Sequence, residues 1–234
     1  LFRSHQGTSV YRPNKNHRPL FFTGGNEAAN SSKNNDKDDI LRLKLVEWDY
    51  KNPKKINVLR SWQLFDPKQY TASCINVSVS PDQKNIIARA KRKRDDVYVY
   101  RIWDIQALLA MKSIKNADAR NNYAITCDSA WGRTRKDGQA TAYDGHHIYL
   151  LGSDKELGPH RIAIMDDHGR KVTNTMKSYE GHNLYPNTIR SEAESIFFIH
   201  RHGKIVPVLA VAVQLSNPSK KYCEFFDISG KLNK

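Results

Sequence analysis

Cysteine is scarce. The three in this chain of 234 residues, Cys74, Cys127 and Cys223, stand far apart with no C-x-x-C spacing. That argues against a disulfide framework or a cysteine zinc site as the organising element, and it leaves the redox compartment open. No stretch approaches the roughly 18 consecutive apolar residues that a membrane span needs, so a soluble chain without a span is expected. No methionine or signal-like apolar stretch stands at Leu1-Phe2-Arg3, which predicts a processed or truncated product whose targeting segment lies outside the chain. Helical periodicity is also rare. Ile105 to Lys115 is the best candidate, with Ile105, Leu108, Leu109 and Met111 only loosely on one face.

Acidic residues are in deficit as well. Asp plus Glu number 24 against 38 Lys plus Arg, giving a formal charge of +14 and a pI near 9.7. Such an excess raises encounter rates with polyanions: nucleic acid, anionic lipid, or the phosphate-bearing polymers of a Gram-positive wall. The plainer consequence of a basic surface is solubility.

What the chain does contain is a repeat. Four stretches rich in β-branched and aromatic residues each run into an aspartate: Leu43 to Asp49, Val97 to Asp104, Arg161 to Asp166 and Tyr222 to Asp227. Upstream of the last three lies turn chemistry ahead of an apolar run: Ser80-Pro81-Asp82, Lys136-Asp137-Gly138 and His202-Gly203. Each unit therefore reads as strand, tight turn, strand, longer connection, and strand ending in aspartate, with room for a fourth strand. A period of this length predicts an all-β chain, a β-propeller with four recognisable blades forming a single domain over residues 1–234. Ser9 to Tyr11 and Leu20 to Thr23 are expected as inner strands of the first blade, and residues 24–39 as a loop or flexible excursion. The competing architecture is a β-sandwich.

Three segments carry a family resemblance: Val77 to Asp82 running through to Val99 to Asp104, then Asp137-Gly138 with Ile148-Tyr149-Leu150, and Arg190 to Ile196. In their order and spacing the chain resembles, at low identity over most of residues 40–230, the helveticin J family of large heat-labile bacteriocins of lactic acid bacteria. The resemblance implies a secreted antibacterial protein without hydrolytic activity. It also implies more chain at the N-terminus, and so a five-bladed ring when complete. The family pattern places a histidine ahead of the acidic inner-strand residues. Here Arg190 precedes Ser191-Glu192, and Cys74 and Asn76 hold the comparable place before Ser80-Pro81-Asp82, so no role for that histidine carries over.

Glu192 and Glu194 share one face of a strand by their spacing, where they can bind sugar hydroxyls or a cation. Paired carboxylates also serve glycoside hydrolysis, with Asp128 as the candidate partner across a channel. The structural alternative is that the pair accepts hydrogen bonds from neighbouring amides or from Arg190. Trp131 is the tryptophan to test for sugar stacking, whereas Trp48 and Trp103, at repeat positions, are expected to pack between blades. Arg89, Lys91, Arg92, Lys93 and Arg94 form a basic cluster expected on a hairpin loop, either simply solvated or contacting wall phosphate, with Arg92 and Arg94 foremost. His146-His147 and His200-Arg201-His202 lack the further ligands a metal requires, so no metal and no cofactor are expected. The expected partner is a bacterial cell-envelope glycan or teichoic-acid-type polyanion, with no specific nucleic acid. The expected function is non-enzymatic envelope docking by a bacteriocin; the alternatives are a propeller glycoside hydrolase and a phage-like receptor-binding module acting on wall polysaccharide.

Overall fold

The computed structural model describes residues 8–24, 41–52, 55–111, 121–125, 140–153, 160–170, 172, 176–178, 185, 187–216 and 221–232. The predicted excursion beyond Gly24, together with Asp128, Trp131 and Asp137-Gly138, lies outside them. The described residues are overwhelmingly strand, in antiparallel sheets, and the chain divides into two compact units, Leu1–Ala124 and Ile125–Lys234.

In the first unit, sheet 1 runs in the order β1 (Thr8–Tyr11), β2 (Leu20–Gly24), β3 (Arg42–Trp48), β4 (Ile56–Gln63). Sheet 2 follows with β5 (Tyr70–Val79), β6 (Asn85–Arg92), β7 (Val97–Asp104) and β8 (Asn121–Ile125). In the second unit, sheet 3 has β9 (Ala140–Tyr143), β10 (His147–Ser153), β11 (His160–Asp166) and β12 (Met176–Ser178). Sheet 4 has β13 (Thr188–Arg201), β14 (Lys204–Leu215) and β15 (Lys221–Asp227). Each is a meander whose strands pair in chain order, since strands that follow one another along a chain most often become neighbours in a sheet.

Alternation supplies the cores. On sheet 1, Phe22, Leu43, Leu45 and Trp62 point to one face and meet Ile75, Val77 and Trp103 of sheet 2 in a single cluster. Burying each of the larger side chains contributes about 2–3 kcal/mol. β1 and β2 lie against β5, where the Val79 amide donates to Ser9 Oγ at 2.8 Å. Sheets 3 and 4 meet likewise, β13 against β9 and β10, around Ala142, Leu151, Ile196, Leu209 and Val211.

All four repeat aspartates occupy the same place, at or just past the end of their sheet's third strand, and do the same local work. Asp49 Oδ1 accepts from the Lys51 and Asn52 amides at 3.0 and 3.3 Å. Asp104 Oδ1 accepts from Ala107 N at 2.8 Å and caps a six-residue helix, Ile105–Ala110, shorter than the helix anticipated from periodicity. Asp166 Oδ1 takes His168 N and Arg170 N at 3.0 and 2.8 Å, and Asp227 Oδ1 takes Ser229 N at 3.0 Å. A short acceptor that can bond the amides two to four residues ahead is what a chain leaving a strand needs, and aspartate supplies it.

The turns depart from expectation in two places. β9 and β10 are joined through Asp144-Gly145-His146, with Gly145 at φ +105°, so the hairpin uses the second Asp-Gly of the region rather than Asp137-Gly138. Residues 93–96 alone join β6 to β7, a tight turn where a longer connection was expected. The His202-Gly203 turn is as anticipated: both residues have positive φ, 50° and 73°, the two-residue hairpin geometry that matches strand twist.

Candidate functional site

A polar recess among the described residues lies on the face of sheet 4 turned away from its core. Along β14, Leu209, Val211 and Val213 point into the core, so Ala212 and Gln214 point out. Register places Arg190 beside Gln214 and Glu192 beside Ala212 on one side, and Lys221 beside Gln214 and Cys223 beside Ala212 on the other. Glu194 is the extra residue of a β-bulge: Ala193 pairs with Val211 and Ser195 with Ala210. The bulge reverses the parity of β13, so that Ser191, Ala193 and Ile196 all face the core. Its outer face then carries Arg190, Glu192 and Glu194 together; bulges commonly re-aim side chains in this way at functional sites.

These residues, with Ala212, Val213, Gln214 and Lys221, line a recess of about 140 Å³. That is below the ~300 Å³ at which whole-ligand pockets begin, so it suits one charged or hydroxyl-bearing group of a larger partner. Two carboxylates, a guanidinium, an ammonium and an amide converge there, a set of donors and acceptors fit for polyol hydroxyls. Arg190 Nη2 donates to Glu192 Oε2 at 2.8 Å, a charge-assisted bond that orders both side chains. Burial, followed by the nearby charges of Glu194 and Glu224, pushes the Cys223 thiol up from its ordinary range. It therefore stays protonated at neutral pH and is a poor nucleophile.

Sheet 4 continues from this polar end to an apolar one. Phe225, opposite Ala210, is 64% exposed and meets Phe197 edge-on at 6.1 Å. A charged recess thus adjoins an open aromatic side chain on one sheet face.

The basic cluster is differently placed from the hairpin loop expected for it. β6 runs through Arg92, so Arg89, Lys91 and Arg92 belong to a strand and only Lys93 and Arg94 to the turn. Arg89 is buried, with its guanidinium 4.7 Å from the Tyr98 ring centroid, so it does not present its charge at the surface. Lys91 pairs with Asp96 at 2.9 Å, and Lys93 Nζ donates to Pro67 O at 2.6 Å. Arg92 grips Asp95 with two bonds, 2.9 and 2.6 Å, which raise the Arg92 pKa and lower that of Asp95. Arg94 is open, 3.5 Å from Asp95 with its side chain 75% exposed. The following Asp95-Asp96 offsets two of the cluster's five positive charges, through Lys91–Asp96 and Arg92–Asp95.

Of the tryptophans, Trp103 is buried against Phe65, as expected of a packing residue. Trp48 is only half-buried and stacks on exposed Tyr50, a departure from its expected packing role. Sequence reasoning also missed a buried pair, His160 Nε2 and Ser191 Oγ at 3.1 Å, which ties sheet 3 to sheet 4. Both residues are wholly shut from solvent, so the pair is structural. A third unread cluster sits at the β9–β10 turn. Asp144 accepts from Tyr149 Oη at 2.8 Å and faces His147 Nδ1 at 3.2 Å, and burial, then Asp144, raises the Tyr149 pKa. Among the described residues, no group of three or more His, Cys, Asp or Glu side chains is gathered to hold a metal.

No protein-family model matches the chain, and no curated protein sequence matches it. Solved structures do. The tail fiber of Staphylococcus aureus phage P68 superposes with a TM-score of 0.57 at 13% identity, over 97% of this chain and 41% of that one. The β-propeller domain of the Trilobed protease from Pyrococcus furiosus gives a TM-score of 0.33 at 13% identity, over 95% of this chain and 58% of that one. The chain thus spans less than half the length of the tail fiber, and at this identity what the two share is a fold.

Proposed function

We propose that this chain is a non-enzymatic docking module for the Gram-positive cell envelope, a phage-like receptor-binding propeller that engages a glycan or teichoic-acid-type polyanion. The observation that carries it is the likeness of fold, across nearly the whole chain, to a phage tail fiber. The sheet-4 recess supports it with chemistry: Glu192, Glu194 and Gln214 accept from hydroxyls, Arg190 and Lys221 meet anionic substituents, and Phe225 offers an apolar surface beside them. We read the four meanders as blades, of a ring that is five-bladed when complete. The helveticin-like reading, carried by the three sequence segments above, assigns the same envelope contact to a secreted bacteriocin.

Co-sedimentation of the purified protein with Gram-positive sacculi tests the proposal. Binding to intact sacculi, reduced on sacculi stripped of phosphate polymers and weakened by Glu192→Gln or Lys221→Ala, is the expected result. A folded protein that sediments with neither preparation overturns it. Release of reducing sugar from the wall, abolished by Glu192→Gln, would make the protein a glycoside hydrolase instead, and clearing of a bacterial lawn by the protein alone would favour the bacteriocin.

A further inference from the structure

The turn end of sheet 1 holds a second group of side chains arranged for a ligand. A meander brings the β1–β2 and β3–β4 turns to the same end, and register seats them side by side, with Phe21 opposite Val46 and Trp48 opposite Ile56. The first turn exposes Lys15, His17 and Arg18; the second exposes Tyr50, Lys51 and Lys55. Tyr50 stacks on Trp48, centroids 5.9 Å apart and planes 24° from parallel, and Phe21 meets Trp48 edge-on at 6.4 Å. The Arg18 guanidinium lies 6.0 Å from the centre of the Tyr50 ring.

Both turns are fixed by their own hydrogen bonds. Asp49 Oδ1 holds the Lys51 and Asn52 amides on either side of Tyr50's successor, and the Asn52 and Lys55 amides close back on Asp49 and Asn52 carbonyls at 3.0 and 2.8 Å. In the β1–β2 turn, Asn14 Oδ1 accepts from Asn16 N at 3.0 Å and Asn14 O from His17 N at 3.2 Å. A guanidinium held over an aromatic ring is attracted to the ring face while its N–H donors, which lie in its own plane, stay available to a further partner. That contact also restrains the side chain, so less freedom is lost when the fork closes on an oxyanion. Within the described residues of the two turns the one acidic side chain is Asp49, and its carboxylate is already bonded to two amides.

We infer that Arg18 over the Tyr50–Trp48 stack is a phosphodiester-binding site, with Arg18 forking the phosphate and Lys15, Lys51 and Lys55 supplying the surrounding positive field, and that the phosphate belongs to a polyol-phosphate polymer. This rests on the docking function proposed above and names the chemical group recognised at sheet 1. Nucleic acid shares the phosphodiester, but non-specific single-strand binding gains about 1–3 kcal/mol per base from stacking on aromatic rings. Tyr50 already has Trp48 and Arg18 at ring-contact distance, so a base stacking there would compete with them.

The test is a titration of the purified chain with poly(glycerol phosphate), with polyglutamate of matched charge and with a single-stranded DNA oligonucleotide, followed through the Arg18 side-chain N–H resonances and by calorimetry. Arg18→Ala and Arg18→Lys are the variants, each checked by its thermal unfolding. Poly(glycerol phosphate) is expected to shift the Arg18 resonances and to outbind polyglutamate. Both variants are expected to weaken that binding by about tenfold, the lysine because it keeps charge but loses the fork. Equal affinity for polyglutamate, or unchanged affinity in folded Arg18→Ala, overturns the site. Tighter, Arg18-dependent binding of DNA overturns the choice of polymer. Sacculus binding that survives Arg18→Ala while polymer binding is lost would remove sheet 1 from the docking function without removing the docking function itself.

Discussion

Gly24 closes β2 where the strand comes against β5, and a Cβ built on it would lie 2.4 Å from the Ile75 carbonyl oxygen. No side chain can fit there without moving backbone, so Gly24→Ala is expected to cost about 1–3 kcal/mol, read as a lower urea midpoint with an unchanged slope. A wild-type midpoint in that variant would mean that the two strands do not approach so closely. Read along the chain, this glycine marks the start of a polar excursion; its packing duty comes from a residue fifty positions downstream. The same holds for Arg89, which reads as one more charge in a basic run and is in fact buried beside Tyr98. Local composition cannot report which strand will lie above a given residue.

Elements were the more legible scale, because a strand's period and its turn residues are local properties. Asp49, Asp104, Asp166 and Asp227 are recognisable from spacing alone, and their common duty follows from a carboxylate's reach to the amides just ahead of it. One of them makes a pH prediction. Ser229 Oγ and N both donate to Asp227 Oδ1, and these bonds hold its pKa below the ordinary 3.8. The folded chain therefore binds this proton less readily than the unfolded one, so the stabilisation is complete above about pH 4 and is lost as pH falls through the depressed folded value. The stability gap between wild type and Asp227→Asn is expected to be constant from pH 5 to 7 and to shrink below pH 4. A gap that widened on acidification would contradict it. The β13 bulge was not legible, since Glu194 looks like any alternating residue until β14 supplies one partner too few.

For the whole molecule, the net charge of +14 governs encounter rather than fold. Binding to an anionic envelope is expected to weaken by at least tenfold between about 0.05 and 0.5 M salt, as screening shortens and released counterions lose their advantage. Salt-independent sedimentation with sacculi would assign the contact to apolar and hydroxyl interactions at the sheet-4 face instead. Composition, the strand period and the recurring aspartates were enough to establish an all-β chain of repeated meanders, because alternation and turn chemistry act between residues a few positions apart. They also pointed to Arg190, Glu192 and Glu194, which the structure brings to one recess. What they could not decide was which charges reach solvent and which aromatic rings stay open. Arg92 is spent on Asp95, Arg89 is enclosed, and Trp48 stacks at the surface while Trp103 is sealed in the core. The burial of Arg89 and Trp103 is set when strands and sheets assemble, since burial depends on distances between residues far apart in the chain, whereas Arg92–Asp95 and Trp48–Tyr50 are contacts within single turns that only the folded turn geometry fixes.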